Sequence, residues 1–274
     1  DIIKVDFRIT TDPEERKKLR EILPKHVRLL AEKIETEEEF QQALDFGYVL
    51  FQGYFFCKPA VLHQKRLTSN ALSKMRLLRE INRQNVDFSA ITGVISSDTN
   101  LVHKLLTYIN SAGVGLNNHV SNLKQATVLL GASGVRRWVT LVSLQTFSED
   151  KPPELFTLSL LRAKFCELLA GELKRPGLTP DTGFLLGMFS LIDVLLSLPM
   201  DDVLKEVSLS DELSDALRGK DNDLRRLLDL VVAYEKGDWE TVSTYCARES
   251  LRPEHLQPTY DKVLEWYNAL QSIS

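Results

Sequence analysis

Hydrolysis of a phosphoester is commonly done by clustered histidine and carboxylate side chains, which hold metal ions and lower the pKa of a bound water. The chain carries five histidines, His26, His63, His103, His119 and His255, and none is followed by aspartate. No two of them stand at a helical ligand spacing, so they read as independent residues rather than a metal centre. Cys57, Cys166 and Cys246 are odd in number and far apart. They give neither a zinc spacing nor a disulfide framework, which points to a reducing cytosol. Gly113-Val114-Gly115 lacks a preceding strand and a third glycine, so it reads as a loop. Asp193 lies in the most apolar segment of the chain, where an unpaired charge is costly. It is expected to pair with an Arg or Lys, or to sit at a helix edge. No spacing of Ser, His and Asp residues indicates a nucleophile.

The elements that must position these residues fall into two unequal parts. Residues 1–60 alternate short apolar runs with helical patterns: Ile2–Phe7, a charged helix from Glu14 to Ile22, Val27–Glu32, a helix capped by Thr36 through Leu44, and Tyr48–Gln52. A β-α-β-α-β order implies parallel strands with both faces covered. Three such strands do not close a barrel, so they look like the last part of something larger. From Leu67 onward, apolar residues recur three or four apart in nearly every segment. Asp87 and Asp98 are expected to cap helices, and Gly131, Gly134, Pro152 and Pro153 punctuate them. Phe184 to Leu196 is apolar all round and predicts one continuous helix at the centre of a bundle. Phe184, Leu185, Met188, Phe189, Ile192 and Leu195 should be among the most buried residues.

The 274 residues are 43% hydrophobic and 26% charged, with a net charge of −4. That balance is globular and lacks the concentrated basic face that nucleic acid requires. The longest apolar run, Phe184 to Leu198, is shorter than the roughly 20 residues of a membrane span. No secretory signal is visible at the start. A chain that opens on Asp1 is expected to be a fragment or a processed form.

Several motifs resemble known families. Lys4-Val5-Asp6, Ala31-Glu32-Lys33-Ile34-Glu35-Thr36 and Gln52-Gly53-Tyr54-Phe55-Phe56 with Lys58-Pro59 resemble, in order, the last strands of an EAL domain. That barrel fold hydrolyses cyclic di-GMP. The resemblance implies that Lys4 lies near a scissile phosphate, and that Glu32 and Gln52 lie near a metal-bound water. The Glu-Ala-Leu motif and the family's other metal-binding positions are absent, and Lys33 replaces a motif glycine. Two-metal hydrolysis needs several converging carboxylates, so Lys4, Glu32 and Gln52 read as vestigial scaffold.

Residues 67–274 resemble a helical HDOD domain, a relative of HD phosphohydrolases without their metal site. Asn110-Ser111-Ala112, Ala126 through Leu130-Gly131, and Gly187 through Asp193 carry this resemblance. Ser190 and Leu191 stand where an HD enzyme has its metal-binding His and Asp. Leucine cannot coordinate, and serine is a poor substitute for imidazole. Asn110 and Ser111 either line an interaction groove or terminate a helix through side chain–backbone bonds. The joined arrangement resembles the EAL–HDOD signalling proteins of bacteria, the YuxH type.

The expected fold is therefore mainly α: residues 1–62 as the C-terminal β/α units of an EAL-like TIM-type barrel, and residues 67–274 as the HDOD domain. The expected function is a cytoplasmic, non-catalytic regulatory module in cyclic di-GMP-related signal transduction. It would use no cofactor or metal and take signalling proteins as partners, and it is compatible with a homo-oligomer. Cyclic di-GMP would bind only a complete EAL domain. The alternative is the C-terminal fragment of an active cyclic di-GMP phosphodiesterase. A third reading is a divergent metal-dependent phosphohydrolase in the helical part.

Overall fold

A computed structural model describes residues 1–53, 69–83, 88–96, 98–110, 119–249 and 251–271. The chain folds as two compact units, Asp1–Ala60 and Val61–Ser274. Leu67, Asp87, Tyr54–Phe56, Lys58-Pro59 and the 113–115 loop lie outside the described residues.

The first unit runs β1 (Ile2–Asp6), α1 (Pro13–Ile22), β2 (Arg28–Glu32), α2 (Glu37–Asp45) and β3 (Leu50–Gln52). The strands pair in parallel in the order β1-β2-β3, as helical crossovers require. Val27, Tyr48 and Val49, expected within strands, fall just ahead of the ladder. Both helices start on side-chain caps. Asp12 accepts from the Glu14 amide at 3.0 Å, with Pro13 next in line, and Thr36 accepts from the Glu39 amide at 3.2 Å. Leu29, Ala31 and Ile34 are fully buried with Phe7, Ala43 and Tyr48.

Two backbone details here concern the motif residues. Lys33 adopts φ 61°, the left-handed region where a glycine is unstrained. A Cβ on Gly53 would stand 2.1 Å from the Ile34 carbonyl oxygen, so only glycine fits beside that backbone. The charged pattern of α1 also hides a core residue. Arg16 is buried with its guanidinium 3.9 Å from the Phe7 ring centroid, and it donates to the carbonyls of Phe7 (2.8 Å) and Thr10 (2.6 Å).

In the second unit every element among the described residues is a helix. They are α3 (Ser69–Ile81), α4 (Phe88–Ser96), α5 (Thr99–Ile109), α6 (Leu123–Phe147), α7 (Pro153–Leu173), α8 (Pro180–Phe189), α9 (Ile192–Leu196), α10 (Met200–Val207), α11 (Asp211–Leu217), α12 (Asp223–Lys236), α13 (Trp239–Glu249) and α14 (Pro253–Gln271). Asp98 caps α5 as expected, accepting from the amides of Asn100 and Leu101. The patterns on either side of Gly131 are two helical stretches, grouped here as α6 and separated by a kink where Gly131 takes the non-helical φ 62° and ψ −174°.

The core is organised on α7 and α8. A Cβ on Gly187 would lie 2.3 Å from the Ala163 nitrogen, and one on Gly183 would lie 2.5 Å from the Cys166 carbonyl oxygen. The two backbones are therefore in direct contact along one face of α8. Its other faces carry Phe184, Leu185, Met188 and Phe189, all buried as expected, and Ile192 and Leu195 are buried in α9. On α7, Phe165 meets Tyr234 of α12 and Tyr260 of α14 edge-on, at centroid distances of 5.3 and 5.2 Å.

One expectation fails. Phe184 to Leu196 is not a continuous helix. It breaks at Ser190 and Leu191, where Leu191 takes φ −126° and ψ 16° and α9 restarts. The Ser190 hydroxyl bonds back to the Gly187 carbonyl at 2.7 Å and helps close α8. Uniform apolarity predicts burial but is blind to a short break within a buried segment.

Two stability predictions follow from this packing. Gly187→Ala forces backbone apart and should cost about 3 kcal/mol or more in urea unfolding. Gly93→Ala, at an exposed position of α4 with nothing within 4 Å of the added carbon, should gain about 0.5–1 kcal/mol. Equal effects from the two would refute the close approach. Phe189 is fully buried, and Phe189→Ala should cost about 3–5 kcal/mol. A loss below about 1 kcal/mol would place α8 at the periphery.

Candidate functional site

Parallel register puts the three strand-end residues side by side. Glu32 is opposite both Asp6 on β1 and Gln52 on β3. Lys4 reaches Glu32 at 3.4 Å, as an exposed pair of the kind worth little to stability. Lys33 bonds Asp6 at 2.7 Å, and this bond, against some burial, holds the Asp6 carboxyl below its ordinary range. So Lys4 and Glu32 do meet, and Gln52 stands beside Glu32 on the neighbouring strand with its side chain exposed. Among the described residues, no three His, Cys, Asp or Glu side chains converge where they could hold a metal ion.

In the helical unit, Ser190 and Leu191 occupy the break between α8 and α9. Leu191 is buried. Ser190 Oγ lies 3.3 Å from Nη1 of Arg162 on α7. The same guanidinium is bonded to Glu235 of α12 by Nε at 3.0 and 2.9 Å and by Nη2 at 2.9 Å. The arginine side chain is 4% exposed and the glutamate 12%. Burial pushes the Glu235 carboxyl above its ordinary pKa, while Arg162 pulls it back. Neither Ser190 nor the buried Leu191 offers a strong metal ligand, and the guanidinium beside them is already paired with Glu235. The residues present do not fit a metal centre.

Asp193 lies in the first turn of α9, a helix edge. Burial raises its pKa, opposed by bonds from the Val194 amide and its own, and by the field of Arg162. Among the described residues no Lys or Arg forms an ion pair with it.

Asn110 closes α5 and spans to the next segment. Its amide nitrogen donates to the Leu106 and Val120 carbonyls, both at 2.8 Å, and its oxygen accepts from the Val120 amide at 2.7 Å. All three contacts are to backbone, so the carboxamide is used in shaping the fold. Ser111 lies outside the described residues.

A feature that the sequence hides is a charged cleft of about 340 Å³ lined from α5, α6, α7, α8 and α14. Arg137 pairs with Glu167 of α7 and with Asp181 in the first turn of α8, where Nε donates at 2.8 Å. Ser133 also bonds Asp181, and Lys164 reaches Glu167 at 2.9 Å. Burial works against the Arg137 charge, but Glu167 and Asp181 outweigh it and hold its pKa above the ordinary value. Arg137 lies 5.0 Å from the Phe184 ring centroid and Lys164 lies 5.6 Å from that of Trp266. The arrangement presents fixed charges and aromatic faces. Arg136-Arg137 was its one trace in the sequence, and Glu235 there resembles the solvated end of a helix.

Removing one partner of the Arg162–Glu235 pair leaves the other charge buried. Arg162→Met alone should cost about 3–5 kcal/mol, and the double variant with Glu235→Leu should recover much of that loss. Additive losses in a double-mutant cycle would show that the pair is not coupled.

The HDOD domain family model matches residues 69–211. The uncharacterized protein YuxH of Bacillus subtilis (strain 168) is 36% identical over 273 residues, which are 98% of this chain and 66% of YuxH. The cyclic di-GMP phosphodiesterase CdgJ of Vibrio cholerae serotype O1 is 35% identical over 239 residues, 87% of this chain and 55% of CdgJ. The chain therefore spans between about half and two thirds of these relatives. A solved structure assigned to signal transduction, from Marinobacter aquaeolei VT8, aligns over 96% of this chain and 83% of its own at 13% identity and a TM-score of 0.49. The family match runs from α3 through α10 and includes the Gly187–Asp193 segment around which the core is built, and on it the chain belongs to the HDOD family.

Proposed function

We propose that the helical unit is a non-catalytic regulatory module that recognises signalling proteins, within a protein of cyclic di-GMP-related signal transduction. The observation that carries this reading is the Arg162–Glu235 pair bonded to Ser190. Where a hydrolase of the HD type would gather ligands around a metal, this chain has a buried cation, a serine and a leucine. A core so closed leaves recognition to the surface, and the charged cleft around Arg137 offers patterned charge for a partner. The first unit is read as the last β/α repeats of an EAL-like barrel, supported by the parallel strands, by glycine-type backbone at Lys33 and by the Gly53 contact. Its setting is the cytoplasm. Among the described residues, no helix is long and apolar enough to cross a membrane.

A second reading is favoured by the relative named a cyclic di-GMP phosphodiesterase. There, Lys4, Glu32 and Gln52 would complete an active site whose metal-binding carboxylates come from sequence that this chain does not contain. The test is hydrolysis of cyclic di-GMP and linear dinucleotides, with manganese, magnesium or iron, by this chain alone and by this chain completed with the upstream EAL sequence that the second reading requires, beside elemental analysis. The expected result is no bound stoichiometric metal and no turnover. Metal-dependent turnover abolished by Glu32→Gln would establish the second reading. Turnover unaffected by that substitution would place a phosphohydrolase in the helical unit and overturn the regulatory one.

A further inference from the structure

A second cleft of about 340 Å³ lies between α5, α6, α7 and α14. Its walls include Leu141, Val142, Phe156, Leu160 and Leu270. Trp138, only 1% exposed, also lines it. Thr157 and Tyr267 join their hydroxyls at 3.0 Å across it, tying α7 to α14. The charges are one-sided. His103 and Lys104 of α5 are among the lining residues, and no Asp or Glu is. His103 is exposed and Lys104 half-buried, which places them toward the rim.

The volume falls within the range of small-ligand pockets, roughly 300–1,000 Å³. An apolar interior favours an apolar body, buried in proportion to its area. Lys104 at the rim, facing no carboxylate among the described residues that line the cleft, favours an anionic head. A neutral ligand would leave that charge unused, and a cationic one would meet repulsion. From this combination we infer that the cleft is a binding site for a small amphipathic organic anion, an apolar body carrying one carboxylate. The site adjoins the Arg137 cleft at Tyr108 but differs from it in charge, since the cations of that cleft are already paired. It does not depend on the regulatory reading of the domain, although a ligand spanning α5, α7 and α14 would favour whichever arrangement of those helices it fits best.

The experiment is calorimetric titration of the full chain with octanoate, octanol and octylamine, each below its aggregation concentration. Octanoate should saturate a single site, octanol should bind at least about fivefold more weakly, and octylamine should not bind. Lys104→Glu should weaken octanoate by about tenfold and remove its advantage over octanol. Gln145→Trp, on an exposed position of α6 that lines the cleft, should block octanoate while the thermal melt stays unchanged. Should either variant fail to fold, the three-ligand comparison on the unaltered chain still decides the matter. The inference is overturned if octanoate shows no saturable binding, if octanol binds as tightly, or if folded Gln145→Trp binds octanoate undiminished.

Discussion

The contact of α7 with α8 at Gly183 and Gly187 constrains the helical unit more than any other feature. Backbone touches backbone there, so neither helix can rotate or slide without a clash, and the side chains on their remaining faces are fixed in direction. Arg162 and Ala163 lie on the α7 side of this contact, and Ser190 follows one turn after Gly187. The ion pair of Arg162 with Glu235, the edge-on packing of Phe165 and the placement of Asp181 against Arg137 all inherit their geometry from it. Small residues at this crossing thus decide where the charged groups of α6, α7, α8 and α12 meet.

Ser190 and Leu191, which the resemblance to HD enzymes sets at metal-ligand positions, take their surroundings from that geometry. A break at that place could have left a polar hollow. Instead Leu191 joins the core, and Ser190 accepts from a guanidinium that is itself held by a carboxylate on α12. Buried ion pairs of this kind contribute little net stability, but breaking one is severe. They are well suited to fixing a single arrangement of helices. A domain whose interior is locked in this way can present clefts of constant shape, and the two described here differ in character. One has its charges matched internally, and the other has Lys104 at its rim and an apolar lining.

The β/α unit follows a different logic. Its parallel pairing brings Lys4, Asp6, Glu32 and Gln52 to neighbouring rows at one end of the strands, the place where such folds keep their chemistry. Arg16 beneath that region is buried by stacking on Phe7 and bonding to backbone carbonyls, so a charged helix is fastened by one of its own cations. Lys33 holds a left-handed backbone that a glycine would take without strain. Its bond to Asp6 gives the lysine a local role in this chain.

Periodicity alone determined that strands and helices alternate up to Gln52 and that helices follow from Ser69, because burial repeats every two residues in one case and every three or four in the other. It also determined the caps at Thr36 and Asp98, which are decided within one helical turn. The same local signals identified Phe184 through Phe189 as core, since a segment apolar on all faces has nowhere else to go. The break at Ser190 and Leu191, the burial of Arg16 and the meeting of Arg162 with Glu235, 73 positions apart in the chain, were decided only in three dimensions. Each depends on a partner from a distant segment, and a charged residue carries the same letter whether water or a buried counter-ion stabilises it. The clefts are of the same kind: their linings come from helices far apart in sequence, and only the packing of those helices assembles them.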